Sequence, residues 1–358
     1  MARKAKPALP QILPVTPWPW LGSDLSDGGV VISTRLRLAR NVAGERFPSA
    51  MSRTQRRALW DGLEAAALTD RWLPDGRALE LHGLSPQDRG LLLEQRLITP
   101  TLNHEEPGTG VIINQGPASI MINEEDHLRL QVLLPGLALE PAWRHLAILD
   151  DLVATRVRYA FDARLGFLTA CPSNCGTGLR ASVLLHVPAL DLDDELERVR
   201  EALLKLGLLV RGFGGEGSSV EGYMMQVATH LTLGQSEAEV LERFRRAIKE
   251  VVASELAARQ RLLERIPELL YHVVSFGWGG MCRSRAMSQG AALMHYHELR
   301  LGIALGMLHC ITLEQANALL SQAHPAHLEA HHGTPIDGWA REVYRAQIWR
   351  TRLADLQA

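Results

Sequence analysis

A short glycine-containing stretch, CPSNCGTGLRAS at residues 171–182, holds residue types that suit three kinds of chemistry. Cys171 and Cys175 could supply half of a zinc site, but a structural zinc site needs two more ligands at short spacing, and none follows. A phosphate-binding P-loop is excluded because the glycines lead to Arg180 and a strand-like run, not to a lysine and a helix. What remains is a loop with main-chain donors, a thiol at one end and a guanidinium at the other. Taken alone, a tight turn around a buried cysteine is the simpler interpretation.

Several arginines near strands and glycine loops form a second group that could do chemistry. In STRLRLARN, Arg35 and Arg37 stand two residues apart, so on an extended chain both side chains project from one face. The guanidinium has a fixed fork of donors that matches phosphate oxygens. Any single one of these residues is most simply a surface charge, but as a set they indicate a phosphate site. The set consists of Arg35, Arg37, Arg129, Arg180 and Arg211.

Acidic residues accompany the arginines at two places. The run NEED at residues 123–126 contains Glu124, Glu125 and Asp126, and RGFGGEG contains Glu216. Each of these acids is, by itself, more simply a solvated turn residue. Only in combination with the arginines and the thiol loop do they suggest an active site.

The composition limits the class of protein. The 358 residues include 46% hydrophobic and 22% charged residues, which is ordinary for a globular protein with a sizeable core. A formal net charge of −2 argues against a general nucleic-acid binder. No apolar run reaches the ~18 residues of a membrane span, and the N-terminal segment lacks the apolar core of a signal peptide. Four cysteines do not make a disulfide framework, so a cytoplasmic setting without membrane contact is expected.

N-cap signals mark several helix starts. The capping-box spacing, in which the side chain three residues on returns the hydrogen bond, occurs at Ser52, Ser236 and Thr312. Ser85 followed by Pro86 marks another start, because proline suits the first helical position. A further helix is predicted over about 141–159.

Strand signals surround the residues that could do chemistry. Residues 110–136 alternate β-branched and polar residues around the turn QGP, which predicts antiparallel strands. LGFLTAC and RASVLLHV predict a strand on either side of the thiol loop, and from about residue 265 only helices are expected. The predicted fold class is α+β, an antiparallel sheet flanked by helices, followed by an all-helical C-terminal domain. The predicted domains are an N-terminal arm (1–29), a catalytic domain (30–255) and the helical domain (256–358).

Four segments together resemble one enzyme family. STRLRLARN, NEEDHLRLQ, GFLTACPSNCGTGLRASVLLHVPAL and LGLLVRGFGGEGS, in this order and at these separations, are similar to the phosphagen (guanidino) kinases. Within that family the similarity is greatest to the bacterial protein-arginine kinases. The resemblance covers roughly residues 30–255 and is weaker in the helical tail. It implies transfer of a phosphoryl group from ATP, with Mg²⁺, to a guanidino group.

The resemblance also implies particular roles. The five arginines would form a cage around ATP, Glu125 would be the catalytic base, Glu216 would hold the acceptor guanidinium with it, and Cys171 would place a thiolate beside that guanidinium. The position before LITP would be a histidine in the family, whereas this chain has Arg96. No protein-bound metal is expected. The implied nucleotide-binding residues are Ser33, Thr34, Arg35, Leu36, Arg37, Arg96, Arg129, Arg180, Ala181, Ser182, Val183, Leu184, Arg211, Gly212, Phe213, Gly214, Gly215 and Glu216.

The acceptor is predicted to be an arginine on another polypeptide. Kinases of small guanidino compounds carry an extra helical domain before this body, and 32 residues precede Ser33 here, too few for such a domain. An open guanidinium pocket is therefore expected. Two alternatives are a kinase of a small guanidino compound and a phosphoarginine-reading adaptor with an inactive kinase body, although no cage arginine or carboxylate is missing.

The tail supports a link to phosphoarginine. AREVYRAQ resembles an RDxxRA motif that binds phosphoarginine allosterically, with Glu342 in place of the aspartate. The matched positions are Arg341, Glu342, Arg345 and Ala346. An exposed helix with ordinary charge pairing is the alternative. The resemblance further implies a homodimer, an activator protein and a Clp-type protease that receives marked, misfolded proteins.

Overall fold

The computed structural model describes residues 18–103, 106–212 and 223–355. Its centre is an eight-stranded sheet in the order β2-β3-β4-β5-β1-β8-β10-β9, and every neighbouring pair is antiparallel. A separate short hairpin joins β6 to β7. The strands are β1 (Val31–Arg40), β2 (Arg77–Glu80), β3 (Gly110–Ile113), β4 (Ala118–Ile122), β5 (Leu128–Pro135), β6 (Phe161–Asp162), β7 (Gly166–Phe167), β8 (Leu179–His186), β9 (Leu209–Gly212) and β10 (Met224–Ala228).

Six helices belong to the same half of the described chain. Side chains alternate between the two faces of a strand, and one face of the sheet is apolar, with Leu36 and Leu38 of β1 fully buried. Helix α3 packs on β1 and β5 there, and Leu146 joins the same core. The helices are α1 (Arg53–Thr69), α2 (Pro86–Glu94), α3 (Leu139–Ala154), α4 (Pro188–Leu192), α5 (Leu196–Lys205) and α6 (Glu237–Arg265).

The remainder of the described chain is helical. A second core forms around Tyr296, Leu320 and Trp349, and Trp18 and Trp20 from the start of the described chain are buried in it. The boundary predicted between residues 255 and 256 falls inside the unbroken helix α6. The helices are α7 (Pro267–Arg283), α8 (Gln289–Ala304), α9 (Leu313–Ala323), α10 (Pro325–His332) and α11 (Gly338–Asp355).

The sequence predicted the fold class and the main helix starts. The α+β sheet followed by a helical region is confirmed, and capping boxes form at Ser52, Ser236 and Thr312. The predicted strand LGFLTAC is wrong for most of its length, because only Gly166–Phe167 pairs as a strand, in the β6–β7 hairpin. In the described part of the chain, no helix is both long and apolar enough to cross a membrane.

Candidate active site

The register of the sheet brings the predicted arginines to one face. Arg37 of β1 pairs directly with Arg180 of β8, and Arg35 pairs with Ser182. On the other side of β1, Arg37 pairs with Gln131 of β5, which stands two residues from Arg129 and therefore faces the same way. The apolar alternate positions of these strands fill the core, so the polar face is left for a ligand.

This polar face is the floor of a cleft of about 1370 Å³. The thiol loop, the acidic turn after β4 and helix α8 form parts of its walls. The predicted site residues that line the cleft are Arg35, Arg37, Arg96, Glu125, Arg129, Cys171, Arg180, Ser182 and Arg211. Residues from distant parts of the chain thus share one cavity of a size that suits a nucleotide.

The cleft holds a concentration of positive charge. Burial, followed by the charges of four neighbouring arginines, lowers the pKa of Arg35 well below its usual value. Burial and repulsion also lower the pKa of Arg37 to about 9, and burial lowers that of Arg96 to about 10. A bound polyanion would relieve the repulsion among these cations, and a nucleoside triphosphate carries the required negative charge.

Arg129 connects the arginine cluster to the acidic turn. Its Nη1 donates to Oε1 of Glu124 at 2.8 Å, and its Nη2 donates to Oε2 of Glu125 at 3.2 Å. The Glu124 side chain is buried and also accepts from Thr99 Oγ1, whereas 42% of the Glu125 side chain is exposed to the cleft. Burial raises the pKa of Glu125, and Arg129 opposes that rise. Glu124 therefore fixes Arg129, and Glu125 stays available to an acceptor.

The thiol loop is tied to the acidic turn by a buried aspartate. Oδ1 of Asp126 accepts from the main-chain N–H of Ala170 at 2.7 Å and from Asn41 Nδ2 at 2.7 Å. One residue further on, Cys171 Sγ lies 3.0 Å from Ser173 Oγ, and both side chains line the cleft. Asp126 thus holds Cys171 and Glu125 on the same wall.

Arg96 lines the cleft at the position where the family resemblance would place a histidine. Its backbone adopts a positive φ of 62°, and its guanidinium lies over the Trp20 ring, 5.2 Å from the centroid. Its carbonyl accepts from Gln131 Nε2, whose amide oxygen accepts from Arg37 Nε at 2.9 Å. Arg96 therefore adds a further cation to the arginine cluster of the cleft.

Other predicted nucleotide-binding positions are buried in the two cores. Leu36, Ala181 and Val183 alternate to the opposite face of the sheet and lie in the apolar core. Leu184 shares the face of Arg180 and Ser182 but is covered by the second core, so only the main chain of these four residues could reach a ligand. Ser33 and Thr34 are also buried, and Thr34 Oγ1 donates to a main-chain carbonyl. Gly212 ends β9. The predicted residues Phe213, Gly214, Gly215 and Glu216 lie outside the described residues.

The motif of the tail lies on α11. Arg341 donates to Oε1 of Glu329 on α10 at 2.6 Å. The Arg345 side chain is buried and donates to the carbonyls of Ala323 and Met287, next to the fully buried Ala346. Glu342 is half-buried. Arg345 thus has a structural role in this arrangement, and phosphoarginine binding by the motif stays a prediction.

Sequence reasoning did not single out Gln131, and it named Glu124 and Asp126 among the acids without giving either a role. Gln131 and Glu124 contact the arginines directly, and Asp126 joins the acidic turn to the thiol loop. Gln131 could have been found, because it stands two positions from Arg129 on a strand and must share its face. The bond from Asp126 to residue 170 is a long-range contact that no local pattern reveals.

Comparison with known proteins gives the family. Residues 66–258 match the model described as ATP:guanido phosphotransferase, C-terminal catalytic domain, and residues 268–358 match the protein-arginine kinase McsB C-terminal domain. The protein-arginine kinase of Caldanaerobacter subterraneus is 36% identical over 91% of this chain and 98% of its own length. The one from Symbiobacterium thermophilum is 37% identical over 94% and 96%. The chain belongs to the protein-arginine kinase family.

Solved structures of other guanidino kinases are similar in fold to this chain. The duplicated taurocyamine kinase of Schistosoma mansoni, solved with transition-state analogue components, has a TM-score of 0.60 and 27% identity. That match covers 71% of this chain and 37% of the duplicated chain. Lombricine kinase has a TM-score of 0.57 and 25% identity, over 67% of this chain and 70% of its own. The fold of this part of the chain is therefore shared with these phosphagen kinases.

Proposed function

We propose that this protein transfers the γ-phosphoryl group of ATP to the guanidino group of arginine side chains in proteins. One observation carries the proposal: a single side chain, Arg129, joins the cationic floor of the cleft to the carboxylate proposed for the acceptor. The chain that has this arrangement belongs to the protein-arginine kinase family. The floor suits a triphosphate, and Glu125 suits a cation. Both reactants therefore have a place within one cavity.

The arginines act on the phosphoryl donor. Phosphoryl transfer depends mainly on positioning and on neutralising charge on the moving group. Arg35, Arg37 and Arg180 lie on two adjacent strands, so their side chains leave one face of the sheet, and Gln131 holds the Arg37 guanidinium before ATP arrives. Pre-oriented donors do not have to reorganise during the reaction, which is where most of their benefit arises.

The acidic wall acts on the acceptor. A free arginine side chain has a pKa of about 12.5–13.8, and its protonated nitrogens are poor nucleophiles. Glu125 would hydrogen-bond the attacking nitrogen and take its proton as the N–P bond forms and the bond to the ADP oxygen breaks. Cys171, on the same wall, would place its sulfur beside the guanidinium. Glu216 is proposed as the second clamp.

Magnesium is the cofactor that the family implies. Mg²⁺ usually keeps several waters and binds phosphate oxygens together with one or two carboxylates. Among the described residues no group of three or more His, Cys, Asp and Glu side chains could hold a metal ion, and Glu124 and Glu125 are engaged by Arg129. The phosphate oxygens of the nucleotide and water would therefore hold the ion. When bound, the ion would neutralise charge on the phosphates.

The curated relatives and the matching helical domain support a protein as the acceptor over a small guanidino compound. The test is incubation with ATP, Mg²⁺ and an unfolded basic protein, with free arginine as a parallel acceptor, followed by mass spectrometry that avoids acid. Phosphoarginine on the protein is the expected product. Product on free arginine alone would favour a small-molecule kinase, and no product on either would favour an adaptor.

The biological setting follows from the same proposal. A kinase of this family is proposed to mark misfolded proteins for a Clp-type protease, to respond to an activator protein and to work as a homodimer. The helical tail is proposed to bind phosphoarginine through Arg341, with Arg345 holding helix α11 in place, and to report the level of marked protein to the active site.

A further inference from the structure

Four large apolar side chains are exposed around the thiol loop. Phe161 and Leu165 lie on the β6–β7 hairpin, and Leu231 and Leu233 follow β10. Their relative exposures are 59%, 45%, 56% and 50%, so each presents about half of its hydrophobic surface to water. Together they form the apolar rim, a name used below for these four residues.

Close main-chain contacts hold both halves of the rim against the thiol loop. Gly166 bridges Gly176, and a Cβ on Gly166 would lie 2.4 Å from the Gly176 carbonyl oxygen. On the other side, a Cβ on Gly176 would lie 2.9 Å from Leu233 Cα, and Thr232 Oγ1 donates to the Cys175 carbonyl. The hairpin and the segment after β10 are therefore fixed on either side of residues 171–176.

The rim is continuous with the acceptor end of the cleft. His230, the residue before Leu231, lines the cleft, and so do Cys171, Ser173 and Asn174 of the thiol loop. An arginine whose guanidinium reaches Glu125 and Cys171 must carry its own main chain past these residues. Because Leu231 follows His230 directly and the hairpin packs on the thiol loop, the sequence neighbours of such an arginine would be brought towards the rim.

Exposed apolar surface beside a binding site marks a place that a binding partner covers. In a folded protein, surface arginines are mostly surrounded by polar residues, whereas an unfolded segment also exposes the apolar residues next to them. We propose that the apolar rim binds the hydrophobic side chains that flank a target arginine in an unfolded segment. This inference rests on the proposed function and adds the chemistry of the substrate around the arginine.

The test uses two fluorescent peptides of equal length with one central arginine, flanked either by leucine and phenylalanine or by serine and glycine. Binding is measured by anisotropy with a non-hydrolysable ATP analogue present. The wild type is expected to bind the apolar peptide about tenfold more tightly, the effect of burying one or two aliphatic groups. The double variant Leu231→Ser, Leu233→Ser is expected to bind both peptides equally.

Matched controls separate the rim from general surface effects. Leu68→Ser, Ile148→Ser replaces two exposed apolar residues on α1 and α3 that do not line the cleft, and is expected to keep the preference. Equal binding of both peptides by the wild type, or an unchanged preference in the rim variant, would overturn the inference. A sedimentation coefficient that falls in the rim variant would also overturn it, because the rim would then pair two copies of the chain.

Phosphoarginine formation on the two peptides is measured separately. Absence of turnover with both peptides would count against the proposed function. The role of the rim is tested by peptide binding, so the binding result could still be interpreted.

Discussion

Nη2 of Arg129 lies 3.2 Å from Oε2 of Glu125, while Nη1 of the same guanidinium contacts the buried Glu124. One arginine therefore spans the two halves of the site, the cationic floor and the acidic wall. Its charge favours the ionised form of Glu125, and burial together with the neighbouring Asp126 disfavours it. The protonation of the proposed base is set by this balance.

The pH dependence of turnover tests that balance. The pKa of Glu125 is raised in the folded protein, so activity is expected to fall at a pH above that at which an ordinary glutamate protonates. Asp126→Asn keeps an oxygen for Ala170 and Asn41 but removes a negative charge. The acidic limb of kcat/KM is therefore expected to move to lower pH, whereas Asp337→Asn, at a position that does not line the cleft, leaves it in place. An acidic limb that stays fixed in Asp126→Asn would contradict the assignment of Glu125.

Gln131 is expected to matter for nucleotide binding although it carries no charge. Its amide connects Arg37 to the Arg96 carbonyl, so Gln131→Ala leaves a buried donor on Arg37 without its partner. A loss of about 1–2 kcal/mol in the binding free energy of Mg-ATP is expected, or roughly 5–30-fold in Kd. Titration calorimetry measures this, with Asn114→Ala on an exposed turn as the control. Unchanged affinity would show that Arg37 does not depend on its amide neighbour.

Glu94 joins the catalytic body to the helical tail. Its carboxylate accepts from the main-chain N–H groups of Ala326 and His327 and from His327 Nδ1, and Glu94 also lines the cleft. Glu94→Ala is expected to lower the free energy of unfolding by about 1–3 kcal/mol, because it leaves these buried donors without an acceptor. Denaturant unfolding measures the loss, and Glu314→Ala, an exposed first-turn acid, is expected to change stability far less. Equal stability of the two variants would rule out this contact as an anchor.

The two arginines of the tail motif are expected to behave differently. Arg345 is buried against two carbonyls, so Arg345→Ala should lower the thermal midpoint. Arg341 is partly exposed and pairs with Glu329, so Arg341→Ala should retain the fold. If the motif binds phosphoarginine, the ratio of turnover with and without added phosphoarginine falls towards one in Arg341→Ala. A ratio equal to that of the wild type would assign the motif to structure alone.

Much of this site could be predicted from the sequence, because the alternation of side chains along a strand is a local property. Two arginines spaced two apart on β1 must share a face, and the arginines of β5 and β8 meet them once those strands pair. Capping boxes were equally readable, since each is complete within four residues. The apolar alternate positions, such as Leu36 and Val183, follow from the same period of two and face the core.

Long-range contacts were beyond that reasoning. The bond from Asp126 to Ala170, the Glu94–His327 contact and the burial of Arg345 each depend on how distant elements pack. The segment LGFLTAC has the composition of a strand, yet the positive φ of Gly166 and its contact with Gly176 restrict pairing to a short hairpin. Composition predicts the preference of a segment for the extended conformation, and packing decides whether a partner strand is present.

The most direct test of the central claim is phosphoarginine formation by Glu125→Gln on an unfolded basic protein with ATP and Mg²⁺, measured by mass spectrometry and paired with calorimetry of nucleotide binding. Loss of the base is expected to slow turnover by about 10²–10⁴-fold, while ATP affinity stays within a few-fold of the wild type because the arginines are intact. Glu125→Gln with wild-type turnover, or wild-type protein that forms no phosphoarginine under these conditions, would contradict the account.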